Sequence, residues 1–312
     1  MQTAITSSDK TALVDFIQTS DRYTFGNMVR QFEDDWSEWL GCKHSLYVTS
    51  GSAANFLLLA SIKEMYEIPN GAKVLVPACT WVTNVSPGFQ IGLEPVFCDV
   101  DLERYSFDID TLPDEDIRIV FITHLLGLNS PVEELKKKYP NAIFLEDICE
   151  SHGVKGPDGM KRGSTGMGST FSFYYGHHMT TIEGGMICTE NEVLYELMKI
   201  KRSHGMARLL SPHLYEEAIS KHPNIDPAFL FLTDGYNFRN TELNAVLGIE
   251  QLKRLDENIE VRRDNFECFM KHLDPERFYI PYRDPGNSSF AFPFVCKNRE
   301  DMVKLKSLFI EL

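Results

Sequence analysis

Several features that would point to a function by themselves are missing from this sequence. No apolar run reaches the roughly 20 residues a membrane-spanning helix needs, and the opening MQTAITSSDK lacks the apolar stretch of a signal peptide. The expected setting is the cytoplasm, with no membrane partner. Cysteine pairs are also missing. The seven cysteines, Cys42, Cys79, Cys98, Cys149, Cys188, Cys268 and Cys296, stand singly with no Cys-x-x-Cys, which argues for reduced thiols and against a disulfide framework or a zinc site. Basic residues are few: 31 Lys and Arg against 45 Asp and Glu give a formal net charge of −14. A nucleic-acid partner needs a basic footprint that this balance does not supply. An anionic small molecule would need a local cluster of donors. There is no internal repeat and no low-complexity linker.

What is present is an alternation of elements. The 312 residues, 43% apolar and 12% aromatic, suffice for a sizeable core. Met28, Val29, Phe32, Trp36, Trp39 and Leu40 recur at helical spacing and stop at Gly41, a fitting helix C-cap. Short β-rich runs follow at Ser45–Val48, Lys73–Val76, Pro95–Cys98, Arg118–Ile122, Ala142–Glu146, Thr170–Tyr174 and Met186–Thr189, most of them separated by segments that can be helical. This predicts an α/β fold with a mainly parallel sheet, helices on both faces and binding sites at the carboxyl ends of the strands. The stretch from Thr241 to about Leu273 reads as one helix leading out of this unit, and Arg299–Leu312 as a short amphipathic helix. The expected division is a large domain over residues 1–245 and a smaller one, apparently incomplete, over 246–312.

Four local patterns fall at predicted strand ends. Ser50-Gly51-Ser52-Ala53-Ala54-Asn55 is a strand-to-helix turn that offers N–H groups, hydroxyls and a helix dipole to a phosphate. Standing alone, it reads more readily as an ordinary N-cap turn. Trp81 follows the second strand, where an aromatic can lie on a planar heterocycle or simply pack in the core. Asp147, in Glu146-Asp147-Ile148-Cys149-Glu150, can pair with a pyridinium nitrogen or cap a turn. The fourth runs from Ser172-Phe173-Tyr174-Tyr175-Gly176-His177-His178 through Glu183-Gly184-Gly185.

This last stretch resembles the signature of the DegT-type sugar aminotransferases, pyridoxal-phosphate enzymes of the aspartate-aminotransferase fold (fold type I). In that family Ser-Phe, a Lys-Asn pair and a closing Glu-Gly-Gly frame the cofactor lysine. The other patterns match it in order, as do Phe32-Glu33, His124-Leu125-Leu126-Gly127, Arg202-Ser203-His204-Gly205 and Gly235-Tyr236-Asn237-Phe238-Arg239. The resemblance covers roughly residues 25 to 312 and implies a smaller C-terminal α+β domain. It also implies that Ser52, Ala53 and Ser172 hold the cofactor phosphate, that Trp81 stacks on the ring, and that Asp147 pairs with the ring nitrogen. Glu150 would replace a polar residue near the ring hydroxyl. Asn237 would reach the phosphate in the other subunit, so a homodimer is implied.

The departure is at the lysine, whose place His177 takes. Imidazole cannot hold the cofactor covalently, but with an ordinary pKa of about 6.5 it can move protons near neutrality. Within the family this resembles the sugar 3-dehydratases, which carry histidine there. Tyr23-Thr24-Phe25-Gly26 with Met28-Val29 adds to the likeness. The likeness implies a noncovalent pyridoxamine 5'-phosphate, exchanging with pyridoxal 5'-phosphate, whose amine condenses with the C4 ketone of a nucleotide-linked 4-keto-6-deoxyhexose. His177 would act as acid and base while the C3 hydroxyl leaves, and L-glutamate would restore the amine form. Such deoxysugars belong to lipopolysaccharide O-antigen biosynthesis. One branch of the subclass acts on a CDP-sugar with an iron–sulfur cluster on cysteines that include Cys-x-Cys. This chain has no Cys-x-Cys, so no cluster is expected, and the resemblance to the cluster-free branch implies a GDP-linked sugar. Two other readings stay open: a sugar aminotransferase using Lys155, Lys199 or Lys201, and a non-catalytic relic that binds cofactor or nucleotide sugar. His178 and His204 are substrate-facing candidates, and no metal is expected, since adjacent histidines on a loop rarely ligate one ion.

Overall fold

The computed structural model describes residues 4–164, 166–281 and 284–311; Leu312, the end of the expected terminal helix, lies outside them. The chain starts with helices α1 (Ser7–Thr19) and α2 (Asn27–Leu40). Thr6 and Asp9 form a capping box at the start of α1, and α2 stops at Gly41 with φ 81°, the left-handed cap its sequence predicts. Then come β1 (His44–Val48), α3 (Gly51–Met65), β2 (Lys73–Pro77), α4 (Ser86–Gln90), β3 (Glu94–Cys98) and a small hairpin of β4 (Val100–Asp101) and β5 (Ser106–Phe107). β6 (Ile117–Thr123), α5 (Val132–Lys138), β7 (Ile143–Asp147), β8 (Gly168–Ser172) and β9 (Gly185–Thr189) complete the strands. Helices α6 (Glu192–Lys201), α7 (Pro212–Lys221), α8 (Glu242–Leu252), α9 (Leu255–His272) and α10 (Arg299–Glu311) follow.

The main sheet has the order β1-β9-β8-β7-β6-β2-β3. Every neighbouring pair from β3 across to β8 is parallel, whereas β9 runs against both β8 and β1. Both faces are covered, as the apolar runs require. Leu46, Val48, Phe121, Leu145 and Ile187 pack under α3 and α6 with Leu57 and Leu58. Alternate residues Tyr47, Phe171 and Met186 point the other way onto Phe32 and Trp36 of α2 and Ala245 of α8. Replacing a fully buried Phe32 or Trp36 by alanine would cost about 3–5 kcal/mol.

Two expectations need correction. The stretch after Thr241 is two helices: the path breaks at Lys253 and Arg254, where the Arg254 guanidinium bonds both carboxylate oxygens of Asp9 on α1 (2.8 and 2.6 Å). The apolar pattern runs through the break because Ala245, Leu255 and Ile259 bury into one core. The strand expected at Thr170–Tyr174 lies at Gly168–Ser172 instead, since Ser172 is the last residue in register with β9. Phe173 is still buried, but in the turn that follows.

Candidate active site

The carboxyl ends of β1, β2, β6, β7 and β8 meet at one edge of the sheet, the usual place for a site in an α/β fold. A cleft of about 450 Å³ opens there, and Ser50, Ser52, Trp81, Asp147, Glu150, Ser172 and His177 all line it. The four patterns separated in sequence therefore converge.

The turn after β1 forms because Ser50 caps α3, its Oγ accepting the Ala53 N–H at 3.1 Å. Ser52 is exposed to the cleft, while Ala53 is buried beneath it and does not line it. The turn presses on the end of β8: a Cβ on Gly51 would stand 2.6 Å from Ser172 Cβ, and one on Gly185 would stand 2.2 Å from the Ser50 carbonyl oxygen. Only glycine allows these approaches, which bring the Ser50, Ser52 and Ser172 hydroxyls round one hollow.

Asp147 is buried at the end of β7, with Oδ2 accepting from the Asn55 side-chain amide (2.8 Å) and Oδ1 from the Cys149 N–H (2.9 Å). Asn55 is itself held by the Thr170 hydroxyl. Asn55 stands four residues after Gly51, on one face of α3, and sequence reasoning gave it no role although that spacing was visible. Burial pushes the Cys149 thiol well up, helped by the Asp147 charge. Burial also raises the Glu150 carboxyl; the Leu126 N–H, which donates to it at 3.1 Å, offsets part of this. Trp81 extends over the cleft and is 66% exposed.

His177 sits on the turn after β8, its N–H donating to the Tyr174 carbonyl at 3.0 Å. The loop that carries it is tied down from α8 and the residues entering it: Gln251 accepts the Thr180 N–H (3.2 Å), and the Asn240 and Asn244 amides donate to the Glu183 carbonyl (3.2 and 3.1 Å). Its pKa is lowered to about 4, chiefly by burial and further by the Arg262 charge, with the Asp147 carboxylate opposing. The ring is therefore neutral near pH 7. Nδ1 is buried with no hydrogen-bond partner among the described residues, which leaves Nε2 to face the cleft.

Other predicted residues fall elsewhere. His178 is buried, does not line the cleft, and donates from Nε2 to the Ser288 carbonyl at 3.0 Å; burial and Arg262 lower its pKa to about 3. His204 lines a different cavity, with a left-handed φ of 66°. Asn237 is exposed, bridged through its backbone to Ser203, and outside this cleft. Lys155, Lys199 and Lys201 are also outside it; Lys199 pairs with Glu196, and buried Lys201 with Glu64 and Asp234. No lysine is among the described residues lining the cleft.

The remaining wall was not foreseen. Phe290 faces His177 with ring centres 5.4 Å apart. Its segment runs beside the loop after β6, Ser288 N–H donating to the Gly127 carbonyl (2.8 Å) and Phe290 N–H to the Leu126 carbonyl (3.0 Å). Arg262 of α9 donates to the Phe290 carbonyl (2.7 Å).

A profile described as the DegT/DnrJ/EryC1/StrS aminotransferase family matches residues 4–311. The GDP-4-keto-6-deoxy-D-mannose 3-dehydratase of Yersinia pseudotuberculosis is 33% identical over 296 residues, 91% of this chain and 74% of the relative. The solved E. coli GDP-4-keto-6-deoxy-D-mannose-3-dehydratase with bound hydrated PLP superposes with a TM-score of 0.86 at 30% identity, covering 97% of this chain and 81% of that one. A GDP-4-keto-6-deoxymannose-3-dehydratase with a trapped PLP-glutamate geminal diamine gives 0.89 at 30% identity, with 97% and 82% covered.

Proposed function

The chain belongs to the DegT/DnrJ/EryC1/StrS aminotransferase family, and from that premise we propose that it is a vitamin-B6-dependent 3-dehydratase of a nucleotide-linked 4-keto-6-deoxyhexose. One observation carries the reading: among the described residues that line the cleft, His177 stands where the family's lysine would be and no lysine is present. The cofactor's fit is supported by the hollow that Gly51 keeps open between the Ser50 turn and Ser172, and by the buried Asp147 that Asn55 holds in place.

Ser52 and Ser172 would hold the phosphate, Trp81 the ring face, Asp147 the ring nitrogen, and Glu150 the region of the ring hydroxyl. Ala53 contributes through the turn it stabilises, its N–H being engaged by Ser50. Asn237, exposed on this chain, would complete the phosphate site of a second copy in a homodimer. Bound here in its amine form, pyridoxamine phosphate supplies the nitrogen that condenses with the sugar ketone and a ring that accepts electrons.

The chain's own part is proton handling. Neutral His177 takes a proton at Nε2 and returns it, as general base and then acid. Glu150, its carboxyl raised by burial and its Oε2 held by the Leu126 N–H, places a fixed acceptor in the cleft wall. Trp81 and Phe290 add apolar surface to its lining. GDP as the nucleotide, and L-glutamate as the donor that restores the amine, are inferred from the names of the relatives.

The test is to load the protein with pyridoxal phosphate, record the absorbance, treat with borohydride and dialyse. Release of the cofactor is the expected result. Covalent retention on a lysine would overturn the dehydratase in favour of an aminotransferase.

A further inference from the structure

Next to the His177 loop, one amide on α8 joins two parts of the chain that do not line the cleft. Gln251 is buried, as are Thr180 and Asp9. Its Oε1 accepts the N–H of Thr180, which follows His177 closely in the chain, at 3.2 Å. Its Nε2 donates to Asp9 Oδ2 on α1 (2.9 Å) and to the Ala4 carbonyl (2.8 Å). Asp9 is fixed in turn: Arg254 donates to both of its oxygens, and the Thr6 N–H donates to Oδ2 at 2.7 Å. Burial raises the Asp9 carboxyl, but the Arg254 and Thr6 hydrogen bonds bring it below its usual value, so it is a carboxylate. Thr180 is held by its side chain as well, Oγ1 donating to the Phe173 carbonyl (3.1 Å) and accepting the Ile182 N–H (2.9 Å). Ile182 has a φ of 71°, which a β-branched side chain rarely adopts. Local preference therefore does not hold this loop; its outside contacts do.

A side-chain amide has an accepting end and a donating end, and turning it over exchanges them. Were Gln251 reversed, its NH₂ group would meet the Thr180 N–H, donor against donor, and its oxygen would face the Asp9 carboxylate and the Ala4 carbonyl. A carboxylate accepts and does not donate, so the charge on Asp9 selects one orientation. The His177 loop finds an acceptor on α8 because α1 supplies that charge. A second contact between α1 and α8, Ser8 Oγ donating to Glu250 Oε1 at 2.6 Å, is exposed and does not reach the loop.

We propose that Gln251 is a positioning residue for His177, and that Asp9 of α1 sets which end of its amide meets the loop. The effect on rate rests on the dehydratase reading; the hold on the loop does not. The test uses the full chain loaded with pyridoxal phosphate, as the wild type, Gln251→Met, Asp9→Asn, the double variant of these two, and Ser8→Ala. Two properties are measured well below each variant's melting temperature: hydrogen exchange of the backbone amides of residues 177–183 without substrate, and kcat and KM for 3-deoxysugar release. Gln251→Met is close to glutamine in size but has no amide. It is expected to speed exchange in the loop about tenfold and to lower kcat about tenfold, with KM and the cofactor absorbance nearly unchanged. Asp9→Asn keeps the shape and removes the charge. It is expected to lower kcat about threefold alone and to add little to Gln251→Met, because both act through one amide. Ser8→Ala should leave both properties as they are, whereas a role limited to holding α1 on α8 would make it behave like Asp9→Asn. Unchanged loop exchange in Gln251→Met, additive losses in the double variant, or an equal loss in Ser8→Ala overturns the positioning role. If Gln251→Met does not fold, Asp9→Asn against Ser8→Ala gives the same decision. Loop exchange that responds as expected in a wild type that releases no 3-deoxysugar would sink the dehydratase reading alone.

Discussion

On one side of the cleft, Ser50, Asp147 and Ser172 sit at or just beyond the ends of β1, β7 and β8, and each is continuous with a strand buried on both faces. On the other side, Phe290 belongs to a segment without regular structure, held to the Leu126–Gly127 loop and to Arg262 by backbone carbonyls. The first side is rigid because moving it means moving the sheet. The second rests on a few hydrogen bonds from another part of the chain, and it can give way without unfolding the protein. His177 stands between them, its loop fixed from α8 and its ring against Phe290.

The comparison can be broken most severely at His177. His177→Asn should lower the rate of 3-deoxysugar release by about 10²–10⁴-fold while cofactor absorbance on binding persists. A variant that kept its rate would remove His177 from the chemistry. A step smaller, Asp147→Asn on the rigid side should cost about 10²-fold in kcat/KM with little change in melting temperature. An equal loss from Phe290→Ala would abolish the distinction between the two sides.

The pH response sharpens the comparison further. His177 and His178 are held at about 4 and about 3, mainly by burial, below the ordinary value of 6.5. The unfolded chain therefore binds more protons than the folded one once the pH drops below about 6.5. Stability from these groups should be complete above that pH and fall as acid approaches pH 4. The melting temperature of Arg262→Gln should fall less over that range than the wild type's, because the charge opposing protonation is gone. Steeper loss in the variant would mean that Arg262 acts only by holding Phe290. The smallest effect belongs to Phe290→Ala, which should raise KM a few-fold, corresponding to about 1 kcal/mol of binding, with kcat nearly unchanged.

Much of the rigid side was legible because its signals are local. A glycine and serine turn after an apolar strand, or an aspartate at the end of one, needs only the strand periodicity around it to be located. The break at Lys253–Arg254 was hidden because Leu252 and Leu255 keep the helical apolar pattern across it while Arg254 turns to Asp9, 245 residues away. Phe290 was hidden for a related reason. Nothing in Asn287-Ser288-Ser289-Phe290 marks it as a cleft wall, and only the packing of that segment on Gly127 and Arg262 brings it to His177. His178, next to His177 in the chain, points instead to Ser288 and is buried.

The sequence by itself determined the α/β order, from apolar runs repeated along the chain, and the glycine and serine turn after β1 and the place of His177 in its signature, each written within about ten consecutive residues. The tertiary structure alone decided that no lysine is among the described residues lining the cleft, and that burial and Arg262 lower the His177 pKa. Those outcomes depend on distances between parts of the chain that share no local pattern.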